Sequence, residues 1–559
     1  MVRNVWRWFN REFNGLHEAA LLLALSSLAS QALSLIQDRL LASTFGASSS
    51  LDIYYSAFRI PDLIYVSIGS FVSVSVIIPI VIKKFKPDEL GPTQKFLEGT
   101  FTAFCFVMAA ASAIVFFIIP FLKPLVVPGF TPEAATEWVT LSRIILWSPF
   151  LLGLSNLVGS FTQSFKKFFV YALSPIFYNI GNILGIAVFY PWWGLPGLAW
   201  GIAVGALMHF AIQLPTLYRS GLWLRLTTHI DWPELRRVVL ISLPRTLTLS
   251  ASQFVILILV ALASLMAEGS ITVFNFAYSL QSIPLMIIGV SYSVAAFPTL
   301  VKLFSEGNRE RFLEHISRAL ANVLFWSIPA TVLFVVLRAQ IVRVTLGAGN
   351  FSWSDTRLTA AALALFVVSA VGQGLVLLFV RGYYAGGITR KPLIVNLSSS
   401  LAIVLLAYSF HWLFDASTSL QGLFHDVVRV RDVAGAQVLI LPLAFSLGSL
   451  ANAIIFWFTF EKDFGRFTPS VRRSLWQSLS GGVVLAIASY CSLTLLAEVL
   501  NTHTLSGIFL QGFSAGMFGI ILDLIWLKSL GNEELAGFEL ALLERFWKAK
   551  PLSPEMPEL

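Results

Sequence analysis

Residues 100–121 read TFTAFCFVMAAASAIVFFIIPF, a stretch without one charged side chain. At 1.5 Å per residue, a helix over it is about 33 Å long, enough to cross a hydrocarbon layer of about 30 Å. Working outward, runs of this kind recur along the whole chain. Fourteen spans are predicted, with cores near 18–43, 53–82, 100–121, 138–161, 169–190, 195–217, 238–266, 271–301, 319–337, 358–379, 393–414, 437–460, 475–496 and 507–527. The fifth and sixth are divided by Pro191-Trp192-Trp193-Gly194, a turn signal carrying interfacial aromatics.

Composition agrees. Of 559 residues, 57% are hydrophobic and 12% charged, against about 25% charged in soluble proteins. Too little polar surface remains to cover a water-soluble body of this size. Gly 37 and Pro 24 are near ordinary usage, so collagen-like and disordered classes also fall away. The two cysteines, Cys105 and Cys491, lie in apolar runs and offer neither a disulfide framework nor a Cys-based metal site. The expected fold class is an all-α polytopic membrane protein of about 14 transmembrane helices.

The formal charge of +8 has a topological explanation. When the segments outside the spans are numbered alternately, 28 of the 38 Lys and Arg fall in one set, from Arg3, Arg7 and Arg11 to Lys528, Arg545, Lys548 and Lys550. The other set holds six, namely Lys123, Arg338, Arg343, Arg357, Arg429 and Arg431; Arg39, Arg59, Arg143 and Arg245 lie within spans. A wrong span count would scramble this alternation, so both termini and the even-numbered loops are placed in the cytoplasm. Nucleic-acid binding is not expected. The first apolar run is longer than a signal-peptide h-region, so no cleavable signal is expected. Residues 1–17, with Trp6, Phe9 and Phe13 among arginines, read as an amphipathic helix at the inner headgroup level; residues 533–549 read the same way, or as a helix packed on the bundle base.

Two parts of the chain echo each other. Tyr55-Ser56-Ala57-Phe58, with Ile78-Pro79 and Lys83 after it, resembles Phe276-Ala277-Tyr278 followed by Phe297-Pro298 and Lys302, at intervals of 220 and 219. Pro175 and Asn179 match Pro392 and Asn396 at 217. A duplicated six-span unit follows. The N-lobe is 18–217, the cytoplasmic linker 218–237 and the C-lobe 238–460; residues 461–530 hold an added helix pair and 531–559 a cytoplasmic tail. An even number of spans gives both copies one orientation, a parallel repeat about an axis along the membrane normal. Such folds place a transport pathway between the halves; an inert bundle is the other product of duplication.

Charges inside spans are costly and normally face a cavity or a partner. Asp38, Arg39, Asp52, Arg59 and Asp62 cluster in the first two spans. Gln31, Asp38, Asp52 and Arg59 form one candidate polar cavity. The alternative for Asp38 and Arg39 is an outer boundary with snorkelling ends, and for Asp52 a cap of the second span. Arg59 lies deeper. Pro61 removes a backbone bond and is a candidate hinge, as is Pro244. Arg245 either faces a cavity or snorkels inward. His209, without a companion ligand, reads as packing, and Asp523 as interfacial. Gly181-x-x-x-Gly185, Gly201-x-x-x-Gly205 and Gly512-x-x-x-Gly516 are close-packing signals. No Walker loop, metal-ligand spacing or nucleophile motif occurs, so a transporter is expected and not an enzyme. No motif assigns residues 415–436.

The stretch from Arg39 through Gly46, Asp52 and Ala57-Phe58-Arg59-Ile60-Pro61 to Pro79 resembles the opening signature of the MurJ/MviN family of lipid II flippases, within the multidrug/oligosaccharidyl-lipid/polysaccharide exporters. Pro244-Arg245-Thr246, Ser252-Gln253, Phe297-Pro298-Thr299-Leu300, Gly349-Asn350-Phe351, Arg381–Ala385 and Thr389–Pro392 extend the likeness in order. The resemblance implies two six-helix lobes around a central cavity, with two further helices forming a groove for a lipid tail. It implies export of undecaprenyl-pyrophosphate-linked peptidoglycan precursor across the bacterial inner membrane by a multi-pass monomer in contact with membrane lipids. Asp38, Asp52 and Arg59 match polar positions of the family pattern. Gln31, Gln37, Tyr65 and Ser279 stand where well-studied members carry arginines, and Ser70 where an acid is usual; Arg39, Arg59 and Arg245 are the cations available to replace them.

The transport step needs no bound cofactor. A polar headgroup cannot cross hydrocarbon unaided, so a polar cavity stands in for water while the tail stays in lipid. With the cytoplasm negative, moving an anion outward gains about 2.3 kcal/mol per charge per 100 mV. Coupling to the membrane potential or to a monovalent cation is therefore the expectation. Export of another lipid-linked glycan, cation-coupled export of a small molecule, and a non-transporting scaffold are the competing readings.

Overall fold

The computed structural model describes residues 16–69, 90–164, 167–228, 230–502 and 504–546. The amphipathic helix expected before residue 16, Ser70, the Ile78-Pro79 and Lys83 landmarks and the tail beyond Phe546 lie outside them, as do the side chains of Pro244 and Arg245. The chain is an all-α polytopic membrane protein. Twelve helices among the described residues are long and apolar enough to cross a membrane, and they coincide with predicted spans three to fourteen. The first predicted span is the Leu16–Phe45 helix. The second begins as Ser49–Ala57, Arg59–Ile64 and a π-helical turn, Tyr65–Gly69.

The breaks have local causes. Pro61 has no N–H to offer the Ala57 carbonyl, and the helix is interrupted at Phe58. Asp62 N–H then bonds the Phe58 carbonyl at 2.8 Å and the helix resumes. π-helical turns also occur at Gly185–Phe189 and, after Pro284, at Leu285–Val290. The Leu285–Val290 turn starts 220 residues after Tyr65, the interval already seen in the sequence repeat. The fifth and sixth spans part at Gly194, whose φ of +64° suits a residue without a Cβ.

The chain divides into two compact units. The first comprises Met1–Tyr278, Thr345–Ala362 and Thr389–Gly448. Within it, the Leu16–Phe45 helix packs on Phe168–Leu184, which packs on Leu195–Ala211. The last pair meets backbone to backbone: a Cβ on Gly181 would stand 2.2 Å from the Gly205 Cα, and one on Gly185 2.7 Å from the Gly201 Cα. The glycines at four-residue spacing are thus the contact surface. The Trp232–Ser264 helix packs against Arg390–Ala416 and against the interrupted stretch Arg59–Gly69.

The second unit comprises Ser279–Val344, Leu363–Ile388 and Ser449–Leu559. Its Arg309–Val336 helix packs against Ser291–Ser305 and Thr468–Val499, and the latter pairs with Leu505–Ser529. An aromatic cluster of Phe312, Phe379, Tyr383, Phe456, Phe460 and Phe464 fills one end. There the Tyr383 hydroxyl donates to Asp463 Oδ2 at 2.9 Å, and Arg309 donates to the Asp463 and Phe464 carbonyls. Asp523 departs from its interfacial reading. It is 3% exposed, with Oδ1 facing Gly481, where a Cβ would come within 2.2 Å of it.

Candidate functional site

The first unit contains a seam where residues 43–59 meet residues 264–278 and 345–351. The connections in it are the first, seventh and ninth of the chain, and all three are odd-numbered. Asp52 is its centre. Its Oδ2 accepts the Gly269 N–H at 2.7 Å, and its Oδ1 accepts the Thr272 N–H at 2.8 Å and the Thr272 hydroxyl at 2.7 Å. These donors open the Ser270–Pro284 helix, so the buried carboxylate caps a helix other than its own. The sequence reading had offered a cap of the second span or a cavity position, and neither alternative named this helix.

Three glycines at positive φ let the connections touch. A Cβ on Gly349 would come within 2.2 Å of the Ser43 carbonyl oxygen, and one on Gly269 within 2.6 Å of the Ala47 carbonyl. One on Gly46 would lie 2.6 Å from the Asn350 carbonyl. Asn350 closes this edge, its N–H donating to the Ser43 carbonyl at 2.9 Å and its Nδ2 to the Thr44 carbonyl at 2.7 Å. The Ser49 N–H donates to Glu268 Oε1 at 2.9 Å. Edge-to-face rings run from Tyr55 through Phe276 to Phe351.

Arg59 lies seven residues beyond Asp52. Its Nη2 donates to Asn275 Oδ1, and Asn275 is held in turn by its own Nδ2 on the Ile271 carbonyl at 2.7 Å. The guanidinium Nε is buried without a hydrogen-bond partner. Asp62, Tyr278 and Tyr55 lie close enough to act on it electrostatically. An orphaned guanidinium N–H in a low-dielectric setting favours an anionic oxygen. Pro61, buried two residues on, shapes the backbone that carries Arg59.

The other predicted positions are spread out. Asp38 is buried and acts electrostatically on Tyr54 and Tyr55. Arg39 Nη1 reaches the Thr345 carbonyl at 3.5 Å, so Arg39 and Arg59 are engaged with different partners. Gln37 Oε1 accepts from Asn182 Nδ2 at 3.2 Å, and the Tyr65 hydroxyl accepts from Asn156 Nδ2 at 2.7 Å. Gln31 is half-buried on the Leu16–Phe45 helix. Ser279 belongs to the second unit, where its carbonyl accepts the Ser282 hydroxyl at 2.6 Å. Neutral hydrogen bonds recur in the interior of the first unit. Ser155 and His209 Nδ1 lie 2.7 Å apart, and Asn179 donates to Ser30. His209 is part of this packing. No group of three metal-ligating side chains occurs among the described residues.

Glu268, Thr272, Asn275 and Asn350 were not singled out from sequence as site residues. Each owes its role to a partner more than 200 positions away.

Residues 41–514 match the family model described as Lipid II flippase MurJ. A protein of Buchnera aphidicola named "Probable lipid II flippase MurJ" is 28% identical over 385 residues, which are 68% of this chain and 75% of that one. The "Lipid II flippase MurJ" of Burkholderia cenocepacia is 23% identical over 525 residues, 90% of this chain and 97% of its own. A solved structure, "Lipid II flippase MurJ, inward closed conformation", superposes with a TM-score of 0.71 at 22% identity, covering 91% of this chain and 99% of that one.

Proposed function

The chain belongs to the lipid II flippase MurJ family, and from that premise we propose that it carries lipid II, the undecaprenyl-pyrophosphate-linked peptidoglycan precursor, from the inner to the outer leaflet. It is a transporter, not an enzyme, and a multi-pass bacterial membrane protein. The observation that carries this reading is the family match across residues 41–514. The membrane is the inner one, both termini are cytoplasmic, and the chain works as a monomer among membrane lipids. Residues 18–217 and 238–460 act as the two lobes, and 461–530 receive the lipid tail.

The seam around Asp52 supports alternating access. On the topology above, odd-numbered connections face outward, so the cap and the glycine contacts hold the outer end shut. Opening to the outside requires Asp52 to release Gly269 and Thr272, and binding of the headgroup must offset that loss. Arg59, with one unpartnered N–H, is the residue assigned to the pyrophosphate. Asp38, Arg39, Arg245, Gln31 and Gln37 are assigned to the surrounding polar lining. The membrane potential drives the anion outward, with a monovalent cation as the alternative coupling.

Gln37 and Tyr65, both held in neutral hydrogen bonds, favour a second reading in which the headgroup is that of another lipid-linked glycan. Rescue of a flippase-depleted bacterium tests the first reading. The wild-type chain restores growth, whereas Arg59→Ala inserts but does not. Failure of the wild type, with transfer in proteoliposomes of a different polyprenyl-linked glycan, transfers the assignment to the second. Collapse of the potential slows transfer; an unchanged rate removes the proposed driving force.

A further inference from the structure

The segment between the eleventh and twelfth spans, which no sequence motif assigned, forms a helix at Thr418–Val428. It is fixed at both ends. The Ser417 hydroxyl caps its start, accepting the Leu420 N–H at 3.4 Å. Arg429 closes it in a left-handed conformation, φ +61°, with the Val430 N–H returning to the His425 carbonyl at 2.9 Å. Arg357 ties down the exit, donating to both Asp432 oxygens at 2.6 and 2.7 Å and to the Arg429 carbonyl at 2.9 Å. Phe424 packs edge-to-face on the buried Phe414, ring centroids 5.2 Å apart.

A helix so anchored nevertheless leaves an apolar stripe uncovered. Leu420, Leu423 and Val427, at i, i+3 and i+7, share one face, and Leu423 and Val427 are 64% and 76% exposed. Ser419 and Asp426, also exposed and seven residues apart, form an adjacent polar rim. The preceding span, Arg390–Ala416, shows an exposed stripe of its own at Leu397, Leu401, Leu405, Tyr408 and Trp412. An exposed apolar stripe on a spanning helix is the surface that lipid covers, and this one ends at Trp412, a residue type that marks the membrane–water boundary. The two stripes are separated only by the turn around Ser417.

We propose that the Thr418–Val428 helix lies in the headgroup boundary of the adjoining leaflet, with Leu420, Leu423 and Val427 inserted among phospholipid acyl chains and Ser419 and Asp426 in water. The leaflet is the outer one under the topology proposed above. The occupant of the exposed stripe is lipid, because the stripe continues a lipid-facing surface and its flanking rim is polar.

The test uses the full chain in phosphatidylcholine–phosphatidylglycerol vesicles. Cys105 and Cys491 are replaced by alanine, and a nitroxide is attached at Leu423→Cys, Ser419→Cys or Leu405→Cys in turn. Accessibility to oxygen, which concentrates in lipid, is compared with that to a water-soluble nickel chelate. The label at 405 is expected to favour oxygen strongly, that at 423 to favour oxygen at shallower depth, and that at 419 to favour nickel. With 405 in lipid, nickel accessibility at 423 overturns the proposal, and so does shielding of 423 from both reagents, which would mean a protein partner or a second copy on the stripe. A label at 405 that favours nickel instead overturns the span itself.

Discussion

Asp52 and Thr272 share two hydrogen bonds through one carboxylate oxygen, at 2.8 Å from the Thr272 N–H and 2.7 Å from its hydroxyl. The two residues are 220 positions apart, the interval of the sequence repeat, so they are equivalent positions that bond each other. The contact thus joins the start of the second span to the start of the eighth.

Asp52→Ala removes a cap and leaves three buried donors without an acceptor. The expected cost to the closed seam is about 2 kcal/mol, roughly 30-fold in an equilibrium. Thr272→Val removes only the hydroxyl and costs about 1 kcal/mol. Labelling of Ala47→Cys by an impermeant maleimide reads the opening, because Ala47 packs against Gly269. It should rise strongly with the first change and slightly with the second. Equal labelling in all three proteins would show that the cap does not hold the seam.

Gly349 and Gly307 separate backbone strain from close approach. Both have positive φ, +53° and +69°. A Cβ on Gly349 meets the Ser43 carbonyl oxygen at 2.2 Å, while one on Gly307 meets nothing within 4 Å. Gly307→Ala should cost about 1–2 kcal/mol from conformation alone and leave Ala47→Cys labelling unchanged. Gly349→Ala adds a collision and should raise that labelling. Similar labelling in the two variants would contradict the close contact.

The helices were legible because each apolar run is long enough to decide its own structure. The Pro61 break was legible for the same reason, since the missing N–H is a local fact. Asp52 was not. Its alternatives were drawn from its own span, whereas its donors come from residues 269–272. A signal did exist, because the 220-residue interval makes Thr272 its counterpart, but only the assembled chain shows that the two bond each other. Asp523 misled for a related reason. Its position near a span end suggested water, and only the absence of a side chain at Gly481 makes room for it inside.

Gly481 and Asp523 should therefore couple. Gly481→Ala places a methyl 2.2 Å from Asp523 Oδ1, and overpacking of this kind costs about 1–3 kcal/mol. Asp523→Ala in the same chain removes the obstacle, so the double variant should unfold above the sum of its singles. Thermal unfolding in detergent across the four proteins measures the coupling, expected at about 0.5–3 kcal/mol. Strict additivity would place the two residues apart.

The fork between Arg357 and Asp432 sets a pH window for the Thr418–Val428 segment. The Arg357 guanidinium, hydrogen-bonded to both oxygens, holds the Asp432 carboxyl down at about 2, below its ordinary 3.8. A carboxylate lowered in the folded state contributes its full share above its ordinary range and loses it as pH falls through the folded value. The segment should thus be insensitive from neutral pH to about 4, then loosen as pH falls toward 2. The pair is exposed, so salt should weaken it. Arg357→Gln removes the fork and frees the Arg429 carbonyl, and the segment should be loose at every pH. Mobility of a nitroxide at Ser419→Cys reports both effects. A transition well above pH 4 would mean that a group other than Asp432 controls the segment, and a rigid label in Arg357→Gln would mean that the caps at Ser417 and Arg429 suffice without the fork.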